Sequence, residues 1–135
     1  MLDNHLVVAE FGWQETGSIL LLRQVDGSGD IPKFEVSTID ERHGAIHVPV
    51  VDINSDGHPD FVALISQEHE VIDAFINQGN GSFEKHQIFA ANDPAFGSSG
   101  IELVDMDRDG DVDVLYTNGD MLDSFYLKPY HAIHW

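Results

Sequence analysis

Short apolar runs bounded by turn residues recur along the whole chain, and no stretch of ten or more residues shows a convincing helical period. Such runs are typical of β-strands. The predicted strands are Leu6 to Glu10, Ser18 to Val25, Lys33 to Ser37, Ala45 to Val51, Phe61 to Ser66, Val71 to Asn77 and Phe83 to Phe89, with a further one between Phe125 and Trp135. The pattern therefore predicts an all-β chain with very little helix.

A repeat with an offset of 53 residues relates the middle of the chain to its end. The segment VDINSDGHPDFV, residues 51–62, aligns with VDMDRDGDVDVL, residues 104–115. A first copy begins near His5, which takes the place of Asp60, and its acidic loop would precede the start of the chain. The complete copy holds four predicted strands in about fifty residues, which is the strand number and repeat length typical of a β-propeller blade.

The copies predict one segment of propeller blades, each with four antiparallel strands. Residues 1–43 would form a partial blade without its first strand, 44–97 a complete blade, and 98–135 a partial blade without its last strand. The result is about two and a half blades, whereas closed propellers typically have about four to eight. Two explanations stay open: the chain is a piece of a longer product, or further copies of the chain complete a ring and cover its open edges.

The charge of the chain restricts its partners. Twenty-four Asp and Glu residues against six Lys and Arg residues give a formal net charge of −18. Such a surface repels phosphate backbones and anionic lipids, so we expect no nucleic acid and no membrane as partner. Cysteine is absent, which excludes disulfides and thiolate metal sites. Neither a transmembrane run nor a signal peptide is visible in the sequence.

One third of the acidic residues, eight of 24, lie in two nine-residue loops that occupy the same place in the repeat. Oxygens at positions 1, 3 and 5 of such a loop converge, the glycine at position 6 permits a sharp turn, and position 7 offers its backbone carbonyl. The predicted ligands are Asp52, Asn54, Asp56, His58 and Asp60 in the first loop and Asp105, Asp107, Asp109, Asp111 and Asp113 in the second. Position 7, His58 or Asp111, would bind through its carbonyl, and position 9 would close the shell.

Calcium is the expected ion in both loops, because it prefers oxygen ligands and flexible geometry. The second loop has more carboxylates and should bind more tightly. Mg²⁺ is a weaker competitor, since it keeps several waters and a rigid octahedron. An EF-hand is excluded, because Ala63 and Tyr116 occupy the position where that motif needs a Glu. Solvated turns without metal are the remaining alternative, and two copies at one repeat phase argue against it.

The motifs DINSDGHPD and DMDRDGDVD, the following strands FVALI and VLY, and the turn NQGNGSF resemble the FG-GAP or VCBS-type repeats of bacterial surface and secreted proteins and of integrin α-subunit propellers. The resemblance implies a β-propeller with calcium in the hairpin between the first two strands of each blade. The first copy departs from the pattern at His5. Members of this family include adhesion and ligand-binding platforms and non-catalytic modules attached to enzymes.

We therefore expect a calcium-stabilised, non-catalytic module for binding, adhesion or scaffolding, with a protein or carbohydrate ligand. Two alternatives remain: an accessory part of a secreted enzyme whose catalytic residues lie outside this chain, and a lectin-like module. Weak calcium sites fill only where calcium is plentiful. The expected location is thus extracellular, periplasmic or at the cell surface.

The histidines give no clear second site. His131 and His134 are three residues apart, which would place them on opposite faces of a strand. His43 and His47 would pair on a helix, but their surroundings predict extended backbone. We expect these side chains to be solvated or hydrogen-bonded rather than catalytic.

Serines and aromatic residues complete the candidates. Ser98 and Ser99 lack a nucleophile elbow, and residues 96–100 are predicted to be a loop between blades. Four aromatic residues near loops or the chain end could stack on a sugar, contact a protein partner or pack between blades. They are Trp13, Tyr126, Tyr130 and Trp135.

Overall fold

The computed structural model describes residues 5–13, 16–26, 30–119 and 131–135, and every regular element in these ranges is a β-strand. The strands are β1 (His5–Glu10), β2 (Ser18–Asp26), β3 (Lys33–Asp40), β4 (Ala45–His47), β5 (Val50–Val51), β6 (Asp60–Ile65), β7 (Val71–Asn77), β8 (Phe83–Ala90), β9 (Ser98–Val104), β10 (Asp113–Asn118) and β11 (Ala132–His134). These ranges contain no helix that could cross a membrane. The prediction of an all-β chain is confirmed over them.

The strands form three antiparallel sheets that follow one another along the chain. The N-terminal sheet has the order β1-β2-β3, the central sheet β4-β6-β7-β8, and the C-terminal sheet β11-β10-β9. The short β5 also pairs with β6, on residues Phe61 and Asp60. Over the described residues no strand pairing joins one sheet to another, so each sheet is open.

Most predicted strands agree closely with the structure, but Ala45 to Val51 is wrong as a single element. It divides into β4 and β5, with Val48 and Pro49 between them. Proline has no N–H to donate to the ladder. Its carbonyl still accepts a hydrogen bond from the amide of Val62 at 3.0 Å, so the segment stays beside β6. Most of the strand predicted between Phe125 and Trp135 lies outside the described residues, and β11 is its described part.

The loop predicted for residues 96–100 is wrong at its end, because Ser98 opens β9. Ser98 is 5% exposed, and both its amide and its hydroxyl donate to the buried carboxylate of Glu70. The hydroxyl also lies 2.7 Å from the phenol oxygen of Tyr116, and burial raises the pKa of that phenol. A carboxylate from the turn after β6 thus fixes the first strand of the C-terminal sheet.

The strand β6 is buried along its whole length because a neighbouring sheet packs on each of its faces. Side chains alternate across a strand. One face packs with the N-terminal sheet in a cluster of Ile19, Ala45, Phe61, Ala63, Ile65, Val71 and Phe75. The other packs with the C-terminal sheet in a cluster of Val62, Leu64, Ile72, Ile101 and Tyr116. The continuous apolar run FVALI is what a strand covered on both faces requires.

A buried ion-pair cluster adds a polar link between the N-terminal and central sheets. Arg42 follows β3 and donates to both oxygens of Asp40, at 2.8 and 2.7 Å. The same guanidinium donates to Asp73, in the middle of β7, at 2.5 Å. The side chains of Asp40 and Asp73 are only 6% and 2% exposed, so Arg42 compensates two carboxylates that water scarcely reaches.

Candidate metal centre

The two acidic loops occupy equivalent places in two sheets. Residues 52–59 connect β5 to β6 in the central sheet, and residues 105–112 connect β9 to β10 in the C-terminal sheet. In each case the loop joins neighbouring antiparallel strands, and position 9 is the first residue of the second strand. The sequence repeat therefore corresponds to a repeated place in the fold.

The hydrogen bonds inside the two loops follow the same pattern. The position 6 amide donates to the position 1 carboxylate, from Gly57 to Asp52 at 3.0 Å and from Gly110 to Asp105 at 3.2 Å. The position 5 amide donates to the position 3 side chain, to Asn54 at 3.1 Å and to Asp107 at 3.2 Å. The position 7 amide donates to the position 5 carboxylate, at 2.7 and 2.9 Å. These bonds turn the side chains at positions 1, 3 and 5 toward the loop interior.

Backbone conformation repeats as well. Position 4 lies in the left-handed region, at φ of 59° for Ser55 and 64° for Arg108. Position 6 also has positive φ, 86° at Gly57 and 100° at Gly110, where glycine avoids the strain that a Cβ would add. The glycine that the sequence assigned to the sharp turn is thus required by the conformation it adopts.

Position 9 anchors each loop to the strand that follows. In the first loop Asp60 is fully buried and accepts hydrogen bonds from the amides of Ile53 at 2.9 Å and Asn77 at 2.7 Å. In the second loop Asp113 accepts the equivalent bond from Met106 at 2.9 Å. The bond from Asn77, at the end of β7, additionally connects the first loop to the next hairpin.

The second loop brings three carboxylates together. One oxygen from each of Asp105, Asp107 and Asp109 lies within 4.8 Å of the others, the single group of three such ligand residues in the described ranges. All three side chains are exposed. Carboxylate oxygens gathered at an accessible point suit a hard divalent cation such as Ca²⁺ or Mg²⁺. The donor set in this loop therefore fits the metal that the motif implies.

The first loop has a less acidic interior. Asn54 supplies a neutral oxygen at position 3, and its side-chain NH₂ donates to Asp56 at 2.9 Å. The hydrogen bonds from the His58 amide and from Asn54 lower the pKa of the Asp56 carboxyl, which is fully exposed. The ring of His58 lies against Gly79, where a Cβ would come within 2.9 Å of it. This loop thus offers fewer carboxylates than the second, with Asp52, Asp56 and Asp60 as its acidic members.

The remaining candidate residues have other surroundings. His47 Nδ1 accepts a hydrogen bond from the Ile101 amide at 3.2 Å, and His134 Nε2 lies 3.0 Å from the side-chain oxygen of Asn118. His43 pairs with His69, at 5.0 Å between ring centroids, rather than with His47. No short-range pattern in the sequence indicates that pair, because the two residues come from different loops.

The predicted aromatic contacts are described only in part. Trp13 and Trp135 are 75% and 68% exposed, so both rings are available to a partner. Tyr126 and Tyr130 lie outside the described residues.

Comparison with known proteins gives one family. Residues 52–116 match the family model of the FG-GAP-like repeat. No curated protein and no solved structure gives a significant match to the chain. The matched segment begins with the first acidic loop, contains the second, and ends at Tyr116 in β10. Residues 52–116 are therefore similar to an FG-GAP-like repeat, and this segment holds both acidic loops, the strands β6 to β9 and β10 as far as Tyr116.

Proposed function

We propose that the chain is a calcium-stabilised β-propeller repeat module with a non-catalytic role in binding, adhesion or scaffolding. The observation that carries the proposal is the convergence of three carboxylates in the second acidic loop, from Asp105, Asp107 and Asp109. The second support is the FG-GAP-like repeat, a type of domain that is typically non-catalytic. Calcium would neutralise the loops and hold them in the conformation that connects neighbouring strands.

In this proposal each loop holds one Ca²⁺ through five residues. The second site uses the carboxylates of Asp105, Asp107, Asp109 and Asp113 and the backbone carbonyl of Asp111. The first site uses the side chains of Asp52, Asn54, Asp56 and Asp60 and the backbone carbonyl of His58. Asp60 already accepts two amide hydrogen bonds, but each carboxylate oxygen has a further lone pair for a cation.

Two bound Ca²⁺ would reduce the formal net charge from −18 to −14. Exposed sites of this kind, with few buried ligands, belong with the weaker protein calcium sites, of Kd about 10⁻⁴ to 10⁻³ M. Such sites fill outside the cytosol, where calcium is plentiful. We therefore propose an extracellular, periplasmic or cell-surface location.

Calorimetric titration tests the metal proposal directly. We expect two calcium ions per chain, with the tighter binding lost when Asp107 is replaced by asparagine and the weaker retained. Mg²⁺ should bind more weakly at both sites, because the loops offer no rigid octahedron. No binding up to about 10 mM free calcium, tenfold above the weakest class of protein calcium site, would contradict the proposal.

We further propose that each sheet is a blade and that another blade covers the outer face of the N-terminal sheet. Leu6, Leu22 and Val36 form a row across the three strands of that sheet, and Leu6 and Val36 are 51% and 61% exposed. An exposed apolar row of this kind is a packing surface. Further sequence or a second copy of the chain could supply the cover. Light scattering of the calcium-loaded chain distinguishes them, since a stable monomer is incompatible with a second copy.

A further inference from the structure

A groove of about 620 Å³ lies between the N-terminal sheet and the first acidic loop with its neighbouring hairpin. The N-terminal sheet contributes one wall through residues of β1, β2 and β3. The other wall consists of His58 and Pro59 from the acidic loop and of alternate residues around the turn between β7 and β8, namely Asn77, Gly79, Gly81 and Phe83. Small-molecule sites in proteins typically have volumes of about 300–1,000 Å³.

The sheet wall has a polar row above a second row that contains Leu21 and Ser37. His5, Arg23 and Glu35 face one another across β1, β2 and β3, and all three line the groove. The Arg23 guanidinium donates to Glu35 at 2.6 Å, with 54% and 62% of the two side chains exposed. The next row toward the core includes Leu21, which is 6% exposed. Ser37, the partner of Leu21 in that row, also lines the groove, so the wall presents donors and acceptors above a floor that is only partly apolar.

The hairpin wall is open because glycines form it. Gly79 and Gly81 have φ of 71° and 87°, and neither places a side chain in the groove. The ring of Phe83 forms an apolar side of the groove and packs edge-on against Phe61 in the core, at 5.2 Å between centroids. A Cβ at Gly79 would meet the His58 ring and one at Gly81 would lie 4.0 Å from the Arg23 guanidinium, so side chains at these positions would narrow the groove.

One polar atom of a groove-lining residue has no partner in the part of the chain that the structure describes. The Nδ1 atom of His5 is buried and has no hydrogen-bond partner among the described residues. Buried polar atoms in folded proteins are almost always hydrogen-bonded, to protein, water or a ligand. Because this atom is closed to solvent, a ligand hydroxyl could satisfy it only after the His5 ring turns toward the groove.

We propose that the groove binds a neutral polyhydroxylated ligand, a hexopyranose unit of a glycan. Its polar row combines a guanidinium, a carboxylate and an imidazole, so it can accept from and donate to sugar hydroxyls in the same plane. The ion pair leaves no excess positive charge to attract an anion, and the net charge of −18 repels one. Phe83 and Leu21 offer apolar surface to the C–H face of the ring.

This inference deepens the proposed binding role and rests on it. His58 belongs to both features: its carbonyl is the proposed position 7 ligand, and its ring lines the groove. Calcium in the first loop would fix the position of that ring. We therefore expect the glycan affinity to fall when calcium is removed.

NMR titration with the methyl glycosides of glucose, galactose, mannose, fucose and N-acetylglucosamine tests the groove. We expect at least one glycoside to shift the signals of His5, Arg23 and Gly79. Glu35→Gln should reduce the affinity for that glycoside about tenfold or more, because hydrogen bonds to a charged group contribute about 1.5–3 kcal/mol. Glu84→Gln is the matched control: Glu84 is an exposed residue of β8, paired with His86 at 3.3 Å and outside the groove lining. Both variants remove exposed charges and should fold normally.

The outcomes separate the two proposals. Binding that Glu35→Gln weakens and Glu84→Gln leaves unchanged supports the groove. No shift with any of the glycosides in calcium, or equal effects of the two variants, overturns it, and tighter binding of inorganic phosphate overturns the neutral ligand class. Calcium titration of the same samples tests the acidic loops separately, so glycan binding without calcium binding rejects only the metal proposal.

Discussion

The double variant Asp107→Asn, Asp109→Asn is expected to lose most of the calcium-dependent rise in melting temperature. These two carboxylates, with that of Asp105, supply the converging oxygens of the second loop. A ligand that binds only the folded chain stabilises it by about 2.7 kcal/mol at 100 times its Kd. For a chain of this size that is a rise of roughly 8–12 °C. Calorimetric melting in calcium and in EDTA should show such a rise for the wild type and a small one for the variant.

The difference in melting temperature between the wild type and the double variant should disappear or reverse when calcium is removed. Without a cation, three exposed carboxylates within 4.8 Å of one another repel. Asparagine at two positions relieves that repulsion, so the variant should melt at the same temperature as the wild type in EDTA, or higher. In calcium it should melt lower. A variant that only damaged the fold would melt lower under both conditions.

Asp111→Asn is the matched control. It makes the same Asp→Asn change in the same loop and removes one charge where the double variant removes two, but Asp111 does not belong to the group of converging carboxylates. Its proposed ligand is the backbone carbonyl, which asparagine keeps. The control should retain the calcium response. An equal loss in the control and the double variant, or a wild type that melts identically in calcium and EDTA, would contradict the assignment.

The fold was predictable from the sequence where it depends on local pattern. FVALI has no alternation because β6 is covered on both faces, and the bounds of β7 follow directly from its flanking turn residues. The acidic loops were predictable for a similar reason, since every proposed ligand of a site lies within nine residues. The division of Ala45 to Val51 had a local signal too, Pro49, that the strand prediction passed over.

Contacts between residues distant in sequence were not predictable in this way. Ser98 is buried in β9 because it bonds to Glu70, which lies 28 residues earlier. The groove brings His5 beside Arg23 and opposite His58. Neither contact follows from spacing, because each depends on how one sheet packs against the next. The proposed ligands of each acidic loop are close in sequence, whereas the residues of the proposed ligand groove come together only because two sheets pack.

The largest loss of stability is expected from Arg42→Met. Arg42 compensates the buried carboxylates of Asp40 and Asp73. It bonds Oδ2 of Asp73, and Oδ1 of that carboxylate has no hydrogen-bond partner among the described residues. Removing one member of a buried ion pair typically costs about 3–5 kcal/mol, because it leaves an uncompensated charge. Urea unfolding at neutral pH should show a loss of that size.

Two further variants show whether the loss comes from the buried charge. Lys85→Met removes a cation that lies 3.5 Å from Asp40. Because the Lys85 side chain is 51% exposed, this variant should lose no more than about 1 kcal/mol of stability. The double variant Arg42→Met, Asp73→Leu also removes one of the two carboxylates that Arg42 compensates. It should therefore be more stable than Arg42→Met alone. Equal losses in Arg42→Met and Lys85→Met would contradict the role assigned to Arg42.

The pH dependence of the Arg42 variant should have the opposite sign to that of the wild type. Burial by itself raises the pKa of the Asp40 carboxyl, but the hydrogen bonds and charge of Arg42 outweigh it, so the pKa lies below the ordinary value of 3.8. In the wild type this group therefore stabilises the fold above that value, and the stabilisation is lost as the pH falls through the lowered pKa. Without Arg42 the effect of burial is opposed by the half-exposed Lys85 alone among the causes that act on Asp40, and the pKa should rise above the unfolded value. As the pH falls toward that raised pKa, the Asp40 carboxylate of the variant is protonated in the folded state before it would be in the unfolded state. The loss in free energy of unfolding of Arg42→Met relative to the wild type should therefore shrink as the pH falls from 7 toward about 5. Urea unfolding across this range measures it, and a deficit independent of pH would show that lost packing, rather than an uncompensated carboxylate, destabilises the variant.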